Sequence, residues 1–387
     1  MLVPKLRFKE FNNEWEKIKL KDISTDISYG MNSAATEYDG INKYIRITDI
    51  DEETSLYSNN PVSPSGNLDD RFLVRDNDIL FARTGASTGK AYLYNRVDGK
   101  LYFAGFLIRA NIKRDYNSRF IFEQTKLNKY NNWIKIMSIR SGQPGINSIE
   151  YGNYEFSITN INEQNKISKL LTVLNKKIEL QQRKIEALKI YKKGLINKLL
   201  NSNESLNCKN IKLNNILIPG SKERVVDTSK FQKINIKLNL NGLSKNNSSR
   251  EMADTRPFYI RNLNEIIIGK QNYFNGSIAI VTKEFDGCIC SNAIMSFSVK
   301  NDNPKYIYYY ISQPNYIRKR SFLANGTGQK ELSEKEFLNF EINLPSIEKQ
   351  NYIVTILDFV ESKISIENLK YELLELFKKS LLQQMFI

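Results

Sequence analysis

INEQNKISKLLTVLNKKIELQQRKIEALKIYKKGLINKLL, residues 161–200, decides how this chain is organised. Apolar residues recur at 167, 171, 174, 178, 185, 188, 195 and 199. Their 3,4 spacing predicts a helix of about 40 residues, roughly 60 Å long, with polar breaks in the stripe at Gln181 and Lys192. A second stripe runs through 353, 357, 360, 364, 371, 374, 381 and 385, broken at Glu367 and Lys378. A long helix with one narrow stripe is marginal by itself and needs a partner. The nearest partner is the other helix, packed antiparallel as an intramolecular coiled coil with a pseudo-twofold. A coiled coil between two chains meets the same need. Leu170, Ile190, Ile196 and Leu200 lie off the stripe and suggest a second contact surface for another protein.

The stripes belong to a longer internal repeat. Residues 142–200 align without a gap with 328–386, a constant offset of 186. Identical pairs include Gln143/Gln329, Asn153/Asn339, Glu155/Glu341, Gln164/Gln350, Asn165/Asn351, Leu171/Leu357 and Ile178/Ile364. A shared helical period explains the apolar matches but not the paired Gly-Gln, Asn-x-Glu and Gln-Asn positions. A fainter match joins KIKLKDI (17–23) to NIKLNNI (210–216), at an offset of 193. The chain therefore reads as domain, helix, domain, helix, with boundaries expected at 1–160, 161–205, 206–345 and 346–387.

Both domains read as α+β. In the first, Tyr44–Ile50 and Asp78–Arg83 alternate or run apolar as strands do, and Ala91–Tyr94 resumes one after a Gly/Ser/Thr loop. Residues 116–140 look helical, offering Phe120, Phe122, Leu127, Trp133 and Ile136 to a core. The second domain echoes this in Phe258–Asn262, Ser277–Lys283 and a helix near 304–321.

Charge points to a polyanion. Fifty-seven Lys and Arg face 42 Asp and Glu, a net charge of +15. Neutralising phosphates releases counterions, so such a surplus suits nucleic acid. An AT-rich genome that favours Lys codons produces the same surplus. The chain has no histidine, which removes Ser–His and Cys–His nucleophile schemes and His-ligated metals. Cys208, Cys288 and Cys290 read as reduced thiols, and no apolar run is long enough for a membrane span or a signal peptide. These features place the chain in the cytoplasm.

Motifs for chemistry are missing. Gly85-Ala86-Ser87-Thr88-Gly89-Lys90 is one residue short of a P-loop, and Ala91 stands where a hydroxyl would hold magnesium. The loop, with Arg83, Thr84, Ser87 and Lys90, can still lie on a DNA backbone, or be a hairpin with incidental charges. Asn59-Asn60-Pro61-Val62 lacks the aromatic that ends an adenine methyltransferase signature, and Asp98-Gly99-Lys100 matches only the tail of a nuclease core. Asp49, Asp51, Glu52 and Glu53 read as a solvated turn, so no metal or cofactor is expected in this chain. Ser141-Gly142-Gln143-Pro144-Gly145-Ile146-Asn147 and Asn325-Gly326-Thr327-Gly328-Gln329-Lys330 occupy matching places before the last strand of each domain. Gln and Asn can pair with an adenine edge, and either stretch can equally be a plain turn.

The order of these features resembles the specificity subunit of type I restriction–modification systems across essentially the whole chain. The resemblance is carried by Val3-Pro4-Lys5-Leu6-Arg7-Phe8 with Phe11 and Trp15, by Tyr44–Ile50, by Thr84-Gly85-Ala86 with Gly89-Lys90, and by the Gln-bearing turns leading into Ile161–Gln164 and Ile347–Gln350. Asn162 and Lys349 depart from the acidic residues often found there. The resemblance implies a non-catalytic, sequence-specific DNA-binding subunit with two target recognition domains, each reading half of an asymmetric, bipartite duplex target. It implies helices that act as a ruler and dock two methyltransferase subunits. It places S-adenosylmethionine on those subunits, and ATP and magnesium on restriction/translocase subunits. Base reading is then expected from Arg46, Thr48, Arg83 and Gln143 in the first domain, with Ser141 and Asn147 beside them. In the second it is expected from Arg261, Asn262, Lys283 and Gln329, with Thr327 and Lys330 beside them. A non-enzymatic coiled-coil scaffold for nucleic acid is the alternative.

Overall fold

The two repeats found in sequence meet as paired strands. In a computed structural model, Glu16–Lys19 runs antiparallel to Glu155–Ile158, and Lys209–Lys212 runs antiparallel to Glu341–Leu344. Lys17 faces Ser157 and Asn210 faces Asn343, so the offset-193 copy pairs with the offset-186 copy in the same register both times. The structure describes residues 3–387 apart from 53, 59, 141, 202–207, 247–255 and 321–330.

The chain forms two units: Met1–Gln182 with Leu369–Ile387, and Arg183–Asn368. Each takes one domain and part of both long helices, Ile161–Asn201 and Ile347–Met385.

In the first unit a four-stranded antiparallel sheet has the order Ser24–Tyr29, Leu107–Ile112, Asp78–Ala82, Ala91–Leu93. Asp78–Ala82 is buried at every position, which is why it reads as a continuous apolar run rather than an alternating one. Helices Ser118–Gln124 and Asn128–Met137 supply Phe120, Phe122 and Tyr130 to the core. Ile167, Leu171, Leu174 and Ile178 of the first long helix join them, as do Leu381, Leu382, Met385 and Phe386 of the second. Trp15 lies 5.6 Å from the Phe120 ring and 6.2 Å from that of Phe386. The amide of Leu6 donates to the carbonyl of Gln384 and the neighbouring Arg7 grips Glu163 at 2.7 Å, so one N-terminal segment ties the start of the first long helix to the end of the second.

The second unit repeats the design. Its sheet has the order Leu217–Pro219, Ile294–Val299, Ile266–Gly269, Ile278–Ile280, with helices Pro304–Ile311 and Pro314–Arg318. Within it, Lys184 pairs with Glu367 at 3.0 Å and Lys192 pairs with Glu361. The first residue number rises as the second falls, so these helix segments run antiparallel.

The unexplained Gln-Asn pairs turn out to be clasps. Gln164 Oε1 accepts from the Asn117 amide at 2.9 Å, its Nε2 donates to the Thr159 carbonyl, and Asn117 Nδ2 donates to Asn165. In the second unit Gln350 accepts from the Asn303 amide at 2.9 Å and donates to the Pro345 carbonyl, and Asn303 Nδ2 donates to Asn351. Asn117 and Asn303 are the N-caps of Ser118–Gln124 and Pro304–Ile311. One glutamine thus satisfies backbone groups at a long-helix start and at a domain-helix cap, both otherwise orphaned.

Four expectations change. Tyr44–Ile50 is a strand only to Ile45; Asp49 then accepts from the Arg46 amide and closes a 3-10 turn over Ile47–Asp49. Ile136 is 68% exposed, and Ile134 takes the core position instead, because the helix breaks after Gln124 and restarts with a new phase. Leu200 is buried in the second core, and Leu170 and Ile196 pack partly into the cores of their own units, leaving only Ile190 of that set outward. A helix that crosses a domain spends more than one face on it. Asp49 is buried against Arg46 rather than solvated.

Candidate nucleic-acid interface

Backbone hydrogen bonds bring three separate segments of the first unit to one edge of its sheet. The strand Asp78–Ala82 ends at Arg83, whose amide donates to the Phe106 carbonyl at 3.1 Å. The Arg83 carbonyl accepts from the Ile146 amide, and the Gly85 amide donates to Pro144. Thr84 and Gly145 form a β-bridge. The Gly/Ser/Thr loop and the Gln-bearing turn, about sixty residues apart, are therefore one surface. Gly85 has φ +71°, and a Cβ there would lie 3.0 Å from Gln143 Nε2, so glycine lets the amide approach the loop. Tyr130 Oη and Tyr151 Oη donate to the carbonyls of Gly89 and Ala82 and fasten the loop from beneath.

Polar side chains gather on this edge. The Arg83 guanidinium lies 4.7 Å from the Tyr29 ring centroid. Burial works to raise the Tyr29 phenol, but hydrogen bonds from Ser148 and the Arg83 charge hold it below its ordinary value. Gln143 is exposed, Thr84 and Ser87 are half-buried, and Lys90 reaches Glu52 at 3.4 Å. Asn147 is exposed but caps the short helix Ser148–Gly152 in a box with Glu150. Ser333 and Glu336 build the same box in the second unit, so this capping role is structural in both.

Other expected residues are placed differently. Both Nε and Nη2 of Arg46 bond the Asp49 carboxylate at 2.8 Å, which holds the guanidinium above its ordinary pKa and commits it locally. Thr48 is exposed, its hydroxyl 3.5 Å from Asp49. Arg261 is 2% exposed; it donates to Cys290 Sγ at 3.0 Å and to the Ser221 carbonyl, an internal strut rather than a presented side chain. Burial pushes the Cys290 thiol up. Asn262 is exposed and bonds Glu265 at 3.0 Å. Ser141, Thr327, Gln329 and Lys330 lie outside the described residues.

Lys283 is exposed, but it begins the turn Lys283–Phe285, beyond the loop that matches Arg83–Lys90. The Lys270 amide donates to the Ala293 carbonyl at 3.0 Å, and the Lys270 carbonyl accepts from the Leu332 amide at 2.9 Å. Arg83 makes those same two bonds with Phe106 and Ile146. Lys270 is therefore the counterpart of Arg83, Gln271 of Thr84, and Ser277 of Lys90. Gly89 and Gly276 share this register and both have positive φ, +92° and +73°. A signal was present: Lys270 follows Glu265-Ile-Ile-Ile-Gly269 as Arg83 follows Asp78-Ile-Leu-Phe-Ala82.

A cleft of about 1100 Å³ in the first unit is ionic, lined by Asp26, Arg75, Asp78, Arg109, Asn111 and Arg114 among others. Many of these groups answer one another, Arg109 with Asp26 at 2.7 Å and Asn111 with Asp78 at 2.6 Å. No cluster able to hold a metal ion occurs among the described residues.

Comparison with known proteins agrees with this layout. The family model for the type I restriction modification DNA specificity domain matches residues 12–190 and again 218–376. The MjaVIII specificity subunit of a type I restriction enzyme from Methanocaldococcus jannaschii is 22% identical over 342 residues, covering 80% of this chain and 78% of that protein. The putative MjaX specificity subunit of the same organism is 25% identical over 409 aligned residues, covering 96% and 93%. Among solved structures, the type I restriction–modification S subunit from M. genitalium aligns with all of this chain and 99% of its own, at 17% identity and a TM-score of 0.60. A chain from a study of assembly and conformational transition in the type I R-M system covers 96% of this chain and 97% of its own, at 12% identity and a TM-score of 0.56. These last two likenesses concern the fold.

Proposed function

Since the chain belongs to the type I restriction–modification DNA specificity family, we propose that it reads an asymmetric, bipartite duplex DNA target, one half-site per unit, and docks modification subunits along its long helices. One observation carries the reading: the same backbone scaffold presents Arg83, Thr84 and Lys90 in one unit and Lys270 and Gln271 in the other, where the counterpart of Lys90, Ser277, is buried. Equal frames with unequal polar side chains suit two different half-sites. Gln143 lies against the same loop in the first unit, where an amide can pair with an adenine edge.

The helices support docking. Val173 and Leu180 are 61% and 52% exposed in the first unit; Phe359 and Ile366, their repeat partners at the offset of 186, are 69% and 54% exposed in the second. An apolar row left outside on each copy suits two copies of one protein partner. Those partners are methyltransferase subunits carrying S-adenosylmethionine, with restriction/translocase subunits supplying ATP and magnesium chemistry. The specificity subunit transfers no methyl group and cuts no bond. The helices then serve as a ruler, since half-sites read from one side of a duplex sit about 34 Å, one helical turn, apart. Removing one seven-residue step from both should change the unread spacer and leave the half-sites intact. No described helix is long and apolar enough to cross a membrane, and the proposed place of work is the cytoplasm.

Methylation-site mapping of the assembled complex tests the reading. The expected result is a split target with different halves. Binding that is uniform across DNA sequences at a stated salt concentration would overturn it.

A further inference from the structure

Phe106 sits at the edge where the recognition loop and the Gln-bearing turn meet, and it is 62% exposed. Its neighbours Phe103 and Leu107 are fully buried. Single exposed apolar residues are ordinary on protein surfaces. Phe106 differs in how it is held. The Leu107 amide donates to Ala104 at 2.8 Å, closing a tight turn whose tip is Gly105-Phe106. The Gly105 amide donates to Met31 at 2.8 Å, the Gly30 amide donates to Leu107, and the Ala104 amide donates to Ile45. Gly30 packs so closely that a Cβ there would lie 2.2 Å from the Ala104 carbonyl oxygen. The Phe106 carbonyl itself accepts from Arg83. A turn fixed by these bonds thus holds an exposed aromatic residue whose carbonyl is bonded to the Arg83 amide; the Arg83 guanidinium packs on Tyr29, and Gln143 lies on the adjoining loop.

The second unit is an internal control. Ala293 occupies the Phe106 place, accepting from Lys270 as Phe106 accepts from Arg83. The backbone turn therefore has no need of an aromatic side chain, and burial does not explain one.

We propose that Phe106 is a wedge that inserts into the base stack of the half-site read by the first unit, opening one step while Arg83 and Gln143 engage the neighbouring groups; this rests on the DNA-reading function above. Rigid apolar side chains flanked by cations open base steps in this way, the unstacking being offset by new ring–base contact. The second unit, with Ala293, leaves its half-site stacked by this route.

The test uses the full chain in complex with its modification subunits, without cofactor, on duplexes carrying the mapped target. 2-Aminopurine is placed at each position of each half-site in turn. In the native complex, fluorescence should rise at a step in the first half-site. Phe106→Ala should abolish that rise, weaken binding about tenfold, and leave every second half-site signal unchanged. Phe106→Trp should retain the rise. Base extrusion by a modification subunit would persist in Phe106→Ala, so the difference between the two proteins is the readout. An unchanged signal in Phe106→Ala with selective binding intact overturns the wedge alone. So does loss of modification subunits on gel filtration with DNA distortion intact, which makes Phe106 a protein contact. A native complex with no sequence selectivity would instead sink the DNA-reading function itself.

Discussion

The clasp at the start of each long helix and the loop at the edge of each sheet obey opposite rules. The clasp uses side chains: Gln164 and Gln350 each accept from one amide and donate to one carbonyl, and only an amide of that length makes both bonds. The loop uses main chain: Arg83 and Lys270 are each placed by their own N–H and C=O. A main-chain frame is indifferent to the side chain it carries. The clasps have stayed the same while the loops differ, and the proposed recognition edge can change its chemistry without loosening its support.

Matched core substitutions challenge this equivalence most severely. Leu171 and Leu357 are both 0% exposed and stand at the same repeat position. Leu171→Ala and Leu357→Ala should each cost about 2–5 kcal/mol, each in its own unit, as hydrogen exchange read separately over the two units would report. A large mismatch would break the comparison at its base. Gln164→Ala and Gln350→Ala come next, at about 1–3 kcal/mol each, from a buried amide and carbonyl left without partners. Gln350 also donates to Asp302 at 2.8 Å, so its loss should be the greater of the two.

The loops should respond one half-site at a time. Arg83→Ala is expected to relax or weaken only the first half-site and Lys270→Ala only the second, by about 1–3 kcal/mol in methylation-site preference. Gln143→Ala should act on the first alone; a uniform loss over all DNA would make it a backbone contact. The smallest change in stability belongs to Val173→Ser and Phe359→Ser, within about 0.5 kcal/mol because both side chains are exposed. These two should nonetheless lower the number of modification subunits retained on gel filtration.

Much of the scaffold was legible in the sequence because side chains make it. Helical stripes, Gln-Asn pairs and the Asn-x-Glu strand recur as letters, and each recurs as a contact. The edge proposed for recognition was harder to read because its equivalence lies in backbone bonds. The shared string Tyr-Ile-Arg at 44–46 and 259–261 suggested two like surfaces. Arg46 instead turns back to Asp49 three residues on, and Arg261 is drawn inward by Cys290 and Ser221. The acidic residue at the third position was the available warning for Arg46. For Lys270 the guide was the strand before it, an acidic residue followed by an apolar run, rather than the next lysine along.

The composition of the two units also sets an order of events during synthesis. Arg183–Asn368 is one continuous stretch, whereas the other unit completes its core with Leu381, Leu382, Met385 and Phe386. On a ribosome, the earlier-made domain must wait for the later-made segment 369–387 to cover Trp15 and Phe120, while the core of the other unit lies within one continuous stretch. Apolar surface left open that long is exposed to misassembly. The domain nearer the start of the chain is therefore the one with the greater need of a chaperone.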